Sequence, residues 1–301
     1  MKYWIIAFIF NVFAGFSQPV QKFEFPRTRS SDTVIEHTGY AFLYNEKHEQ
    51  SSWVAYELTK AEVQKAFERT DKFAPDPKVS TGTASGRDYE KSGYDRGHLA
   101  PAADMSWSAE AMRESFYYSN ISPQEPGFNR GIWKKLETVT RSWAEASGAI
   151  YIVTGPVLKD GLPTIGPGKV SVPEYYFKVI LDYTPGKRKG IGFIMSNKAS
   201  AQQPAAFAVS IDSVEKFTGL DFFPGFSREE EIIEATLCVK CWDWTIEKAT
   251  KPLIEEKAAS PAKPASKQVT GATLCTGKTQ SGSRCKNKTT SASGRCHLHP
   301  L

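Results

Sequence analysis

Apolar and polar residues alternate over several short runs of the chain and recur at helical spacing over a few longer ones. Residues 34–44 and 53–58 have strand character, and the polar stretch 45–52 between them predicts a hairpin. A buried strand is expected over residues 149–154, ending at Gly155-Pro156. Two more are expected over residues 175–183 and 190–196, joined by a turn at Pro185-Gly186-Lys187, and a shorter one over residues 206–211. Ile132, Leu136, Val139 and Trp143 recur at steps of four, three and four, so residues 128–147 predict a helix with one apolar stripe. At about 100° per residue, Asn129, Glu137 and Arg141 flank that stripe, where a helix meets the rim of a cleft. Asn129 falls at the helix start and is a favoured N-cap residue. Further helices are expected over residues 106–118 and 213–218, and a short one over residues 59–67 with Thr59 as its cap. Residues 78–94, rich in Ser, Gly and Thr, predict a loop. Strands and helices mix without regular alternation. The fold class is therefore α+β, a mainly antiparallel central sheet flanked by helices.

The ends of the chain differ from its middle. Residues 1–17 read as a signal peptide: Lys2, an apolar run too short to anchor stably, then Gly15 and Ser17 before a cleavage point ahead of Gln18. A retained N-terminal anchor is the alternative. No later apolar run approaches 18 residues, so the mature chain is expected to lack a membrane segment and to be exported, to the periplasm or the medium. Residues 18–34 predict a polar, flexible lead-in, and residues 35–248 the main domain. Residues 249–272 are a linker rich in Lys, Ala, Pro and Ser, and residues 273–301 a small basic module rich in Cys and His.

Composition bounds this picture. The chain has 301 residues, 40% of them hydrophobic, enough for one core of about 200–250 residues plus extras. Its net charge of +5 suggests a nucleic-acid binder, but the distribution corrects that impression. Residues 249–301 hold nine Lys/Arg and two acids, net +7; residues 1–248 hold 29 against 31, net −2. Nucleic acid must then be met by a local cleft of Arg and Lys. Five cysteines leave one over if the rest pair. Cys275, Cys285 and Cys296 with His299 (or His297) make a composition known for structural Zn²⁺, with Cys238 and Cys241 as a local disulfide or a thiol pair. A Cys275–Cys285 disulfide with Cys296 left over is the other reading.

The candidate chemistry gathers between residues 92 and 137. Gly93-Tyr94-Asp95-Arg96-Gly97-His98 offers His98, an imidazole that titrates near neutral pH, as a general base. Asn129 offers a neutral amide oxygen, a hard ligand suited to Mg²⁺, which keeps most of its waters. Arg96, two residues before His98, shares a strand face with it and can clamp phosphate. A base, a cation anchor and a phosphate clamp are the parts a phosphodiester hydrolysis needs.

Asp95-Arg96-Gly97-His98 followed by Leu99-Ala100-Pro101-Ala102-Ala103-Asp104 resembles the signature of the DNA/RNA non-specific endonucleases, which carry a ββα-metal (His-Me finger) site and include the endonuclease G type. Ser119-Asn120-Ile121-Ser122-Pro123-Gln124, and Asn129 with Glu137 eight residues on, are similar in order and spacing. So are Trp53-Val54-Ala55-Tyr56-Glu57-Leu58, Phe73-Ala74-Pro75-Asp76-Pro77, Thr154-Gly155-Pro156 and Thr218-Gly219-Leu220-Asp221-Phe222-Phe223. The resemblance covers residues 35–246. It implies a ββα-metal motif and a Mg²⁺ (or Mn²⁺)-dependent, sequence- and sugar-non-specific endonuclease acting on DNA and RNA, with 5′-phosphate products. It assigns His98 as general base, Asn129 as the direct metal ligand, and Glu137 as the group orienting metal-bound water. By the same resemblance Arg96 and Arg141 contact phosphate or position other groups, Asn120 supports the site, and Arg69 is another phosphate-binding Arg.

Plainer readings stand beside these. Asp95 braces the active loop; Glu137 and Arg141, four apart, can form a simple helical ion pair. Trp133, Trp143, Phe222 and Phe223 are core residues, while His37 and His48, in polar context, are surface residues. The alternative function is a nucleic-acid-binding or uptake protein with a degenerate nuclease site. The sequence leaves the oligomeric state open, a homodimer being one option.

Overall fold

The computed structural model describes residues 22–228, 230–245, 273–278, 283–289 and 295. The chain divides into two compact units, Met1–Lys248 and Ala249–Leu301. The first unit runs β1 (Val34–Glu36), β2 (Ala41–Asn45), β3 (Gln50–Thr59), α1 (Gly86–Tyr89), β4 (Asp95–His98), α2 (Ala109–Glu114) and β5 (Ile121–Gln124). A π-helical turn (Phe128–Trp133), α3 (Lys134–Ser147), β6 (Ala149–Pro156) and a small hairpin of β7 (Thr164–Ile165) and β8 (Val170–Ser171) follow. Then come β9 (Tyr175–Asp182), β10 (Lys189–Ser196), β11 (Ala208–Val209), α4 (Ile211–Thr218) and α5 (Glu231–Ala235).

Seven strands form one sheet in the order β1-β2-β3-β6-β9-β10-β11, each neighbouring pair antiparallel. Side chains leave a strand on alternate faces, so β3 sends Val54, Tyr56 and Leu58 one way and Trp53 and Ala55 the other. The first set packs with Leu136, Val139 and Trp143 of α3. The second packs with Ile211 and Val214 of α4 and with Phe222 and Phe223. Burial on both faces removes the polar alternation from β9, whose last seven residues are all buried. Lys178 is the one charged residue in the middle of that run.

Several sequence expectations change. Residues 34–44 form two strands, because the chain turns at residues 37–40, where the His37 N–H donates to the Tyr40 carbonyl. Residues 59–67 make a single turn instead of a helix. Thr59 and Glu62 bond reciprocally as a capping box, but the Ala66 and Phe67 N–H groups donate to the Ser106 carbonyl. One turn fixes several dihedrals for one bond, so without further turns it does not propagate. Residues 78–94 contain α1, and residues 206–211 hold only the two-residue β11, after a 3₁₀ turn over Pro204–Phe207. From residue 22 the lead-in is docked: Phe25 is buried against Trp53, and Phe23 meets Tyr151, Tyr183, Phe223 and Phe226. Two aromatic rings at alternate positions cover the outer face of the sheet, which a composition reading takes for a polar segment.

His37 and His48 are buried, not exposed. His37 Nε2 lies 2.7 Å from Asp76 Oδ2, and Nδ1 lies 3.2 Å from Glu114. His48 Nδ1 lies 2.8 Å from Ser171 Oγ. Distant carboxylates and a hydroxyl face these rings, so local polarity misplaces them. Trp133, Trp143, Phe222 and Phe223 are buried in the core, as expected.

Candidate active site

β4 and β5 pair antiparallel, with Asp95 opposite Gln124 and His98 opposite Ile121. The π-helical turn and α3 follow β5, giving a ββα unit. Gly97 is required by the pairing: a Cβ there would fall 2.2 Å from Cδ of Gln124, a fully buried side chain. The turn is held by Glu125, whose carbonyl accepts from the Asn129 N–H at 2.9 Å and whose carboxylate accepts from the Phe128 N–H at 2.9 Å. Asn129 therefore lies inside the turn, with Gly127 in the cap position, and is not an N-cap. Its side chain is released for another task. A single π-helical turn is a frequent accompaniment of functional sites.

On the strand side, the His98 ring lies 4.8 Å edge-on to Phe116 and 5.7 Å from Phe73. Its Nε2 is buried and has no hydrogen-bond partner among the described residues. Burial, with the Arg69 charge added, pushes the imidazole pKa down to about 3. The ring is neutral at any physiological pH. An unsatisfied buried nitrogen is costly, and such groups mark strained or reactive sites. Asn120, fully buried, fixes the backbone just past His98. Its Nδ2 donates to the Ala100 and Ser115 carbonyls and its Oδ1 accepts from the Ala100 N–H, all at 2.9 Å.

Asp95 joins strand to helix. Asn129 Nδ2 donates to Asp95 Oδ2 at 2.9 Å, and Arg130 donates to both Asp95 oxygens at 2.7 and 2.5 Å. Burial pushes the Asp95 carboxyl up, but the Arg130 and Asn129 bonds outweigh it and hold the pKa below the usual range. An ionised carboxylate only accepts, so it turns the amide nitrogen of Asn129 toward itself and leaves Oδ1 as the outward ligand atom. Among the described residues no three His, Cys, Asp or Glu cluster as a metal cage. One amide oxygen with water in the remaining positions fits a Mg²⁺-type ion.

The helix side is a charged network. Arg141 Nη1 donates to buried Asp104 at 2.8 Å, and Tyr56 donates to the same carboxylate at 2.8 Å. Arg141 thus pairs with Asp104 and not with Glu137; a distant loop supplies the better-placed carboxylate. Glu137 is pushed up by burial to about 7, while Lys178, Arg141 and Arg69 pull it down. Lys178, buried on the inward face of β9, is pushed down by burial and up by Glu137. Its Nζ lies 5.0 Å from the Trp133 ring centroid and has no hydrogen-bond partner among the described residues.

Arg69 and Arg96 lie at the surface of the same region. Arg96 stacks 4.7 Å over Phe73 and pairs with no carboxylate among the described residues. Arg69 lies 4.8 Å over Phe116, bonds Asp71 at 2.6 Å, and acts electrostatically on both His98 and Glu137. The structure thus gathers His98, Asn120 and Arg69 around Phe116 and the β4 loop. It ties Asn129 to β4, and sets Glu137 and Arg141 beside Asp104. The sequence reading assigned no role to Asp104 or Lys178. Asp104 closes the quoted motif, and Lys178 is a lone charge in an apolar strand; both were signals.

A family model for DNA/RNA non-specific endonuclease matches residues 17–229. The chain belongs to the DNA/RNA non-specific endonuclease family. It is 35% identical over 245 residues to Nuclease C1 of Cunninghamella echinulata var. echinulata, covering 74% of this chain and 95% of that one. It is 33% identical over 235 residues to the human mitochondrial nuclease EXOG, covering 71% of this chain and 62% of that protein. The chain therefore spans less than two thirds of the EXOG relatives' length. A solved structure titled as the EndoG/EndoGI complex, with a mechanism of EndoG inhibition, superposes with a TM-score of 0.61 at 31% identity. It covers 65% of this chain and 87% of its own. The family's α+β nuclease fold, expected from the motifs, is the fold observed.

In the second unit, Cys275 and Cys285 are buried and pack together. Cys296 and His299 lie outside the described residues, as do residues 1–17, the stretch expected to be a signal peptide. Cys238 and Cys241, in the first unit, are joined by a disulfide. No helix among the described residues is long and apolar enough to cross a membrane.

Proposed function

We propose that the protein is an exported, divalent-metal-dependent endonuclease that hydrolyses phosphodiesters of DNA and RNA without reading sequence. The observation that carries this is the pairing of a buried, unpartnered His98 Nε2 with an Asn129 whose amide oxygen is freed by Asp95. Export rests on residues 1–17.

Asn129 Oδ1 would hold Mg²⁺ or Mn²⁺, whose charge opposes the negative charge that develops on the phosphate and on the leaving 3′ oxygen. His98 Nε2 takes the proton of the attacking water. A phosphate anion drawn beside the ring favours its protonated form, which restores basicity to an imidazole that burial alone makes too weak. Glu137 orients water by accepting its hydrogen bonds, and needs to be ionised to do so. Arg96, exposed and without a carboxylate partner, clamps a phosphate; Arg69 and Arg141 add positive field. Water attacking phosphorus opposite the 3′ oxygen breaks the P–O3′ bond, so one fragment ends in a 3′ hydroxyl and the next keeps the phosphate on its 5′ oxygen. Contacts confined to the backbone carry no base information, so cleavage ignores sequence.

The test is conversion of supercoiled plasmid and of total RNA by purified protein with Mg²⁺, with EDTA, and by His98→Ala. Metal-dependent loss of both substrates that the substitution removes supports the reading. An inert wild type with every divalent ion returns the protein to a binding role.

A further inference from the structure

Beside the candidate site, between residues 63–69 and residues 102–112, lies a cleft of 330 Å³. That is the lower end of the ~300–1,000 Å³ span of small-molecule sites. Val63, Phe67, Ala102 and Met112 give it apolar walls. Its charged lining residues are Lys65, Arg69 and Arg141, all cationic. Phe67 is 43% exposed, one of three such aromatic rings with Tyr175 and Phe217 among the described residues. It is not a loose side chain on a loose loop, since the Ala66 and Phe67 N–H groups both donate to the Ser106 carbonyl, at 3.1 and 2.8 Å. Two of the three cations also belong to the phosphate-handling site: Arg69 acts on His98 and Glu137, and Arg141 is fixed by Asp104.

An apolar slot with an aromatic face and a cationic rim, continuous with a phosphate site, fits a planar group tethered to phosphates. We propose that this cleft is a subsite for one unpaired nucleobase of the substrate strand, stacked on Phe67 while Arg69 and Arg141 meet the adjoining phosphates. The inference rests on the nuclease reading and deepens it. A base inside a duplex has both faces stacked and cannot enter without leaving its helix. The cleft therefore favours single strands and unpaired nucleotides. Every base has a π face, so the subsite adds affinity without sequence preference.

Two measurements separate this inference from the nuclease reading. In the first, full-length His98→Ala protein is titrated, without cleavage, against a single-stranded oligonucleotide carrying 2-aminopurine. Phe67→Ala in that background is expected to weaken binding about tenfold and abolish the fluorescence quench, and Phe67→Trp to retain both. Removing bases from the oligonucleotide should cause the same loss and make Phe67→Ala silent. In the second, Phe67→Ala in the otherwise intact enzyme should raise KM for single strands about tenfold more than KM for duplex. Unchanged single-strand affinity, or equal weakening toward single-stranded, abasic and duplex DNA, overturns the subsite. An inert wild-type enzyme that still shows the Phe67-dependent quench keeps the subsite and discards the nuclease reading. Phe67 is exposed, and an unchanged melting curve for Phe67→Ala shows that these losses are not unfolding.

Discussion

On the strand side of the site, His98 packs against the contacting rings of Phe73 and Phe116, and its Nε2 has no partner among the described residues. On the helix side, Glu137 lies in a network of Lys178, Arg141, Asp104 and Arg69. Burial acts alike on both groups by disfavouring the charged form, so it lowers the imidazole and raises the carboxyl. The consequences are opposite. The base role proposed for His98 needs a neutral ring, which desolvation secures while making it a weaker base. A water-orienting carboxylate is useful when charged, so Glu137 depends on the cations packed around it. The apolar side can be built from two rings; the charged side needs residues from β9, α3 and two loops.

The comparison breaks most sharply at His98. Replacing it with Ala is expected to lower kcat by about 10²–10⁴-fold, the usual weight of a general base. Single-turnover plasmid cleavage measures this, and a loss under twofold would remove His98 from the chemistry. Asp95→Asn comes next. An amide at position 95 no longer dictates which end of Asn129 faces it, so divalent-metal affinity should fall about 10–100-fold. The Mg²⁺ dependence of cleavage reads this directly, and an unchanged midpoint would detach Asp95 from the metal.

A pH profile sharpens the contrast. In kcat/KM, which reports the free protein, His98 at about 3 is neutral across the working range and contributes no limb. Glu137, raised to about 7, becomes protonated as pH falls, so activity should fall on the acid side with a midpoint near neutral. Glu137→Gln should lower the plateau and erase that limb. Lys178→Met removes a cation that pulls Glu137 down, so the midpoint should move up. A midpoint that stays in place would make Lys178 a packing residue only. The smallest effect is expected at Arg69→Ala. Its ion pair with Asp71 is exposed, so stability should change by about 0–1 kcal/mol in a denaturant titration, with a severalfold rise in KM.

Much of the site was legible because its chemistry sits in contiguous motifs. His98, Arg96 and Asp95 share one short strand, and the stripe Ile132-Leu136-Val139-Trp143 identified the helix that follows Asn129. Asp95 as a brace was likewise readable, and the structure supplies its partners, Asn129 and Arg130. What failed was every inference that used local polarity to judge burial or pairing. His37 is buried against Asp76 and Glu114, 39 and 77 positions away, in a sequence that shows none of this locally. Arg141 has Glu137 one turn away and bonds Asp104 instead. The Thr59–Glu62 capping box forms, but tertiary bonds to Ser106 stop the helix after one turn.

The sequence by itself determined the family, the antiparallel α+β plan and the apolar stripe of α3, and it nominated His98, Asn129 and Glu137 as candidates. These depend on residue type and short spacing, which a linear chain carries in full. Only the tertiary structure decided that Asp95 orients the Asn129 amide, that Asp104 holds Arg141, and that Lys178 is buried in the charged network around Glu137. It also decided that His98 and Glu137 are desolvated. Protonation and orientation depend on distance and solvent access, and residues far apart along the chain set both.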